Sequence, residues 1–418
     1  MLTCSENSFG IKISLFVIYV TFSSSSGEEL VESHDEVTSI LSSDNYSRNL
    51  LPPLGQNETS RKLFINLGLR EIETLDDKKM ELKAQFTLRQ KWVDARLQYE
   101  SQITDGYVTV HADSNHIPWM PDTFVNDEKE STIHATTRPN SYFRIYSNGT
   151  VLYSVRLSTT ISCPMDLRRF PFDEQNCEIR LASYSYTVSA IEFFWDPSFS
   201  LEVIGSRHLT QFQLVGQTIG RCLTSHRATG KYGSVFVVLN FQRQLGYYLI
   251  QYFIPIAMCV FLTWISFWLG SAIEARLSLT VTVLLTMSTQ VSGMTGSMSQ
   301  VSYTTAFSTF CGFSTTFAVL SIVQSAFIFT ILRRNQFHAN PIRVIDMIES
   351  NRKVVEDGAE PRKAPPLTAI RVDQISKILF PTLYFLFIIT YSIAYYVYPT
   401  NQYTNMEDDS IGNCKRQP

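Results

Sequence analysis

Charge of one sign is missing from this chain: 35 basic and 38 acidic side chains leave a formal balance of −3. Without a basic excess there is no electrostatic footprint for a nucleic acid, and none is expected as a partner. The first 245 residues also lack a nucleophile–base motif, a Gly-rich phosphate loop and clustered metal-ligand spacing. Catalysis, a resident metal and a cofactor are therefore left without support, and no enzyme is expected. Cysteine is sparse and odd in number, seven in 418 residues. Cys4 falls in a leader-like segment, Cys259 and Cys311 in apolar runs, and Cys222 and Cys414 have no evident partner in the chain. Cys163 and Cys177 remain as the obvious pair, closing a short loop in an oxidising compartment.

What the chain does have is long apolar runs. Lys12 precedes an apolar stretch from Ile13 to Phe22, and small residues from Ser23 to Gly27 follow, the pattern of a secretory signal. Asn45, Asn57 and Asn148 begin sequons, all upstream of the first long run, and are candidate glycan acceptors outside the cell. Four stretches, Tyr247–Ala272, Ala275–Thr295, Thr305–Leu332 and Ile375–Tyr398, reach the ~20 residues that a helix needs to cross a bilayer. Buried helices of a soluble protein would show a charged face, and the first and third runs carry no charge at all. The connection before the fourth run holds Arg333, Arg334, Arg343, Arg352, Lys353, Arg362, Lys363 and Arg371, which marks it as cytoplasmic. An even number of spans then leaves both termini outside the plasma membrane.

From Leu63 to Arg243 the pattern changes to short alternating runs such as Glu81–Leu88, Val151–Leu157 and Val235–Phe241, broken by turn signals. That argues an antiparallel sandwich. The expected fold is an all-β, immunoglobulin-like extracellular sandwich followed by a four-helix transmembrane bundle. Its parts are a signal peptide (1–26), an extension (27–62), the sandwich (63–245), spans one to three (246–332), a cytoplasmic loop (333–373), span four (374–398) and an outer tail (399–418). Within the second span, Ser278, Thr282, Leu285, Thr289 and Ser292 recur at steps of four, three, four and three. This is one helical face of hydroxyls interrupted by a leucine. Polar groups inside a membrane face a bundle interior or water. Several such helices side by side would line a wet tube, with Leu285 as an apolar constriction that gates by dewetting. A four-span adhesion protein, the rival from another class, needs no wet face.

The segment CPMDLRRFPFDEQNC, from Cys163 to Cys177 with thirteen residues between the cysteines, resembles the signature loop of the pentameric Cys-loop ligand-gated ion channels. The resemblance runs from about Leu63 to Tyr398 and includes RQKWVDARL at Arg89–Leu97, WMPDTF at Trp119–Phe124, and Gly246 to Pro255. It is closest to the branch of GABA, glycine, glutamate and invertebrate histamine-, proton- and zinc-gated chloride channels. It implies five homologous subunits in the lipid membrane, with a small extracellular ligand (amino acid, amine, proton or zinc) bound between neighbours. The principal side of that site would carry Phe124, Tyr184, Tyr186 and Tyr232. Arg89 and Ser154 on the complementary side match positions that hold a carboxylate in amino-acid-gated relatives. Phe170, Pro171, Phe172 and Asp173 would couple ligand to pore through contacts near Ser299–Tyr303.

Several residues depart from that pattern. Ala182 stands where amine-gated relatives often have a glutamate, Arg227 replaces an aromatic, and Cys222 lacks a second cysteine to close its loop. Six of the seven histidines (His34, His111, His116, His134, His208 and His226) precede the spans. At the inner pore mouth the chain reads Glu274-Ala275-Arg276 where anion channels have Pro-Ala-Arg. A ring of arginines favours anions and a ring of acids favours cations. The resemblance implies chloride, with Arg276 as a basic ring at the pore and Glu274 adding a ring of carboxylates beside it; a hydrogen-bonded Glu274 turned away from the pore would reconcile the two. A cation-selective channel, or a non-conducting modulatory subunit, is the alternative.

Overall fold

The computed structural model describes residues 34–55, 58–100, 106–205, 209–270, 272–298, 300–338, 367–397 and 414–417. A helix over 34–42 precedes the sandwich, which has two sheets. The larger orders β10 (Leu201–Val203), β1 (Arg61–Asp76), β2 (Glu81–Gln98), β7 (Asn148–Ser162), β6 (Ser141–Tyr146) and β3 (Tyr107–His111), with β9 (Ile191–Trp195) beside β1 and β5 (Glu128–Ile133) beside β7. The smaller orders β13 (Cys414–Gln417), β11 (Phe212–Arg227), β12 (Gly230–Arg243), β8 (Glu174–Ser183) and β4 (Thr123–Val125).

Period-two alternation explains the stacking, because successive strand side chains point to opposite faces. Leu82, Ala84, Phe86 and Leu88 of β2 are buried, as are Cys177, Ile179 and Leu181 of β8 and Val235, Val237, Leu239 and Phe241 of β12. Where β11 crosses Phe236, a side chain on Gly220 would put its Cβ 2.3 Å from the ring, so only glycine fits. Trp195 donates its indole N–H to the Gly220 carbonyl (2.8 Å) at the same crossing.

Four helices long and apolar enough to cross a membrane follow: Gly246–Trp268, Ile273–Gly296, Ala306–Arg334 and Leu367–Tyr395. The third helix continues to His338 and the fourth opens at Leu367. Asp373, expected to end the cytoplasmic loop, therefore lies inside the helix of the fourth span. Aromatic contacts tie the spans together, among them Phe253–Phe310 at 4.7 Å and Trp264–Tyr384 at 5.7 Å.

Cys163 and Cys177 form a disulfide. Cys222, expected to have no partner, is bonded to Cys414, and β13 pairs with β11 beside that link. The two cysteines stand 192 residues apart in sequence, and such a pairing leaves no local pattern to read. Asn45 and Asn148 are exposed. Asn57 and His208 lie outside the described residues.

Candidate functional site

Three regions carry the chemistry. The first is a pair of half-sites on opposite sheets. On the smaller sheet, Phe124 of β4 stacks edge-on against Tyr184 (5.7 Å between rings), and Tyr184 is 78% exposed. Asp122 holds this loop by accepting from the Ser185 backbone N–H (2.7 Å) and from the Ser183 and Ser185 hydroxyls. Tyr232 is buried and shares a hydroxyl contact with Thr229 (3.0 Å), while Tyr186 packs on Trp119 (6.3 Å). Ala182 is buried opposite Phe124, and Arg227 donates to the Asn126 side chain (2.8 Å).

On the larger sheet, Arg89 and Ser154 face each other in register, but their side chains do different things. Arg89 donates to Asn66 (2.7 Å) and pairs with Glu202 (3.2 Å), so its charge is compensated within the chain. Ser154 lines a cavity of about 440 Å³ together with Arg70, Arg144, Arg156, Tyr142 and His111. Three guanidinium groups border this cavity, and among the described residues no carboxylate does. Arg70 donates to Thr87 (2.6 Å), Arg156 to Gln85 (2.8 Å), and Arg144 lies over the Tyr107 ring (4.7 Å). The Nε atoms of Arg144 and Arg156 are buried without a partner. Each of these two guanidinium groups thus keeps one N–H without a partner inside the protein. The sequence reading missed Arg70, Arg144 and Arg156. Strand alternation puts Ser154 and Arg156 on one face, but only the register across β1, β2, β7 and β6 shows which arginines meet. A bulge between Leu69 and Glu71 leaves Arg70 out of the ladder and frees it to turn.

The second region is the junction of sandwich and bundle. Asp173 accepts two bonds from the fully buried Arg243 (2.8 and 3.1 Å), whose Nη1 also reaches Asp77 (2.9 Å) and the Tyr248 hydroxyl (3.2 Å). Burial by itself would lower the Arg243 pKa, but the charge and hydrogen bonds of Asp173, with Tyr248 and Asp77, outweigh it and hold the guanidinium above its ordinary range. Phe170 is buried between Arg243 (4.6 Å), Tyr248 (5.1 Å) and Phe307 (6.5 Å). The Phe170–Pro171 peptide is cis. Phe172 meets Phe253 and Tyr391. The expected contact near Ser299–Tyr303 is only part of this junction. Tyr303 accepts from the Leu167 N–H (2.9 Å), while most contacts run to the first span and to the starts and ends of the third and fourth. Ser299 lies outside the described residues. The loop before β2 also takes part, with Lys78 reaching the Gly296 carbonyl (3.5 Å) at the outer end of the second span.

The third region is the second span. Its buried face is Arg276, Thr280, Val283, Met287 and Met294, packed against the first and third spans. Ser278, Thr282, Leu285, Thr289 and Ser292 are all exposed, Leu285 by 66%. Ser278 and Thr282 are linked through a hydroxyl-to-carbonyl bond (2.8 Å), which leaves the Thr282 oxygen free to accept from water. Glu274 is also exposed, eleven residues or about three turns before Leu285, and so lies on the same stripe. The exposed Glu274 fits the expected carboxylate at the pore mouth and not the alternative of a side chain turned away. Arg276 differs from the expectation of a basic ring. Nine residues from Leu285 is about two and a half turns, which points Arg276 to the opposite face. Its side chain is fully buried there, in a two-pronged ion pair with Asp373 of the fourth span (3.0 and 2.5 Å).

Among the described residues no three His, Cys, Asp or Glu side chains gather as a metal site. Comparison with known proteins matches residues 34–245 to the family described as neurotransmitter-gated ion-channel ligand binding domain. Residues 252–361 match the neurotransmitter-gated ion-channel transmembrane region. A glutamate-gated chloride channel of Drosophila melanogaster is 40% identical over 305 residues, which cover 72% of this chain and 66% of that relative.

Proposed function

Because the chain belongs to the neurotransmitter-gated, Cys-loop family of ion channels, we propose that it is a subunit of a plasma-membrane channel opened by a carboxylate-bearing extracellular ligand and conducting chloride. It is a multi-pass membrane protein and not an enzyme. The observation that carries the ligand reading is the cavity bordered by Arg70, Arg144 and Arg156, with no carboxylate among its described walls. Guanidinium groups suit a carboxylate through paired, charge-assisted bonds. The aromatic half-site of Phe124, Tyr184 and Tyr232 lies on the other sheet, so a ligand touching both must sit between two copies. Five copies closing a ring would give five such sites. The ring also brings together five Leu285 side chains as one constriction along a hydroxyl-lined path. Glutamate, named for the relative above, has the matching chemistry: two carboxylates for the basic cavity and an ammonium for the aromatic face.

Ligand binding shifts a closed–open equilibrium by its differential affinity for the open form. Closure of the two half-sites around the ligand would move the sandwich against the bundle through the Asp173–Arg243 junction. The link between Cys414 and Cys222 puts the tail after span four on the sandwich side, which supports an arrangement with both ends outside.

A second reading, cation conduction, is favoured by one observation: Glu274 is on the exposed stripe while Arg276 is not. Expression of the chain alone in oocytes separates the two. Glutamate and other carboxylates should evoke currents whose reversal potential follows external chloride. A reversal potential that ignores chloride and follows sodium would establish the cation reading. Currents evoked only by amines, zinc or pH steps would overturn the carboxylate reading.

A further inference from the structure

The inner end of the second span holds two opposite charges two residues apart, and the fold treats them differently. Glu274 is exposed on the stripe. Arg276 is buried on the far face, its Nη1 and Nη2 each meeting one oxygen of Asp373. Gln324 of the third span donates to the same carboxylate (3.0 Å) and fixes its orientation. We propose that Asp373, although it lies on the fourth span and away from the pore stripe, sets ion selectivity by cancelling the charge of Arg276, and that it acts as a positioning residue through that arginine. This rests on the channel reading above.

The physical reasoning is a difference of ranges. A lone charge acts over roughly the width of a helix in a partly low-dielectric wall, whereas two opposite charges in contact present only a dipole, whose field falls off faster. With the pair closed, the second span presents one unopposed charge per subunit at its inner end, that of Glu274. With the pair broken at Asp373, Arg276 becomes a net positive charge directly behind that carboxylate. Its long side chain can then swing toward the aqueous cytoplasmic end, as arginines near span ends do. The ring of five subunits multiplies whatever one pair contributes.

The test is a cycle of three variants in oocytes, with reversal potentials read after external NaCl is diluted tenfold at constant osmolarity. Asp373→Asn should shift the chloride-to-sodium permeability ratio toward chloride by at least about threefold. Arg276→Gln should shift it toward sodium by a similar factor, because it leaves Asp373 uncompensated behind Glu274. The double variant has no net charge at the pair and should return to the wild-type ratio. It also keeps no lone buried charge, so it tests the proposal even where Asp373→Asn fails to reach the surface. If the double variant loses chloride permeability as fully as Arg276→Gln does, Arg276 acts on ions directly and the proposal is wrong. Unchanged ratios in all three conducting variants would likewise overturn it, while leaving the channel reading intact. A wild-type chain that reaches the surface and conducts under no ligand would instead sink the channel reading and this inference with it.

Discussion

Asp173→Asn removes one charge from the junction and leaves the shape of the side chain almost unchanged. In the native protein Asp173 and Arg243 are both buried and joined by two bonds, with Arg243 sandwiched between the rings of Phe170 (4.6 Å) and Phe212 (4.4 Å). Removing one member of a buried pair costs about 3–5 kcal/mol, because the partner charge stays desolvated. Asp77 still reaches Arg243 at 2.9 Å from a partly solvated position, so the lower end, about 3 kcal/mol, applies. At ~1.4 kcal/mol per factor of ten that is about a hundredfold, divided between assembly and gating. Two readouts separate the shares: surface-labelled protein, and the agonist concentration for half-maximal current. We expect several-fold less protein at the surface, and in what remains at least a tenfold higher half-maximal concentration. Arg243→Gln combined with Asp173→Asn should recover part of both losses, since no buried guanidinium is then left beside a neutral side chain at position 173. An Asp173→Asn channel matching wild type in both readouts would refute the claim that this pair holds Arg243 in place against Tyr248 of the first span.

Three further outcomes follow from the geometry. Leu285→Ser exchanges an exposed apolar side chain for a hydroxyl in every subunit and hydrates the narrow ring, so leak current without ligand should rise, whereas an unchanged leak would argue against dewetting as the gate. Arg156→Gln takes one guanidinium from the cavity wall and should weaken a carboxylate ligand about tenfold to a hundredfold, measured as half-maximal concentration, with little effect on surface protein. Glu73 accepts from Lys83 and Gln85, and these bonds hold its carboxyl below the ordinary value of 4.5 against the opposing effect of burial. Its folded-state pKa is depressed, so its stabilisation is present above the ordinary carboxylate range and is lost as pH falls through the lowered value. Thermal unfolding of the detergent-solubilised protein should therefore show a shallower acid loss in Glu73→Gln than in wild type.

Opposing sheets, four spans and the hydroxyl stripe were all legible in the residues, because each is a periodic pattern over neighbours in the chain. A period of two buries Phe86 and leaves Arg89 facing out, and a period of 3.6 gathers Ser278, Thr282 and Thr289. The same period already places Arg276 opposite Leu285. It cannot say what waits on that face, because Asp373 is 97 residues away. The folded chain alone decided that Arg276 is neutralised, that Arg89 is taken up by Glu202, and that Cys222 closes on Cys414. It also decided that Arg70, Arg144 and Arg156 converge on one cavity. Periodicity is local and can be read from one segment at a time. Charge compensation, disulfide pairing and the convergence of strands depend on register between distant segments, which only the packed core determines.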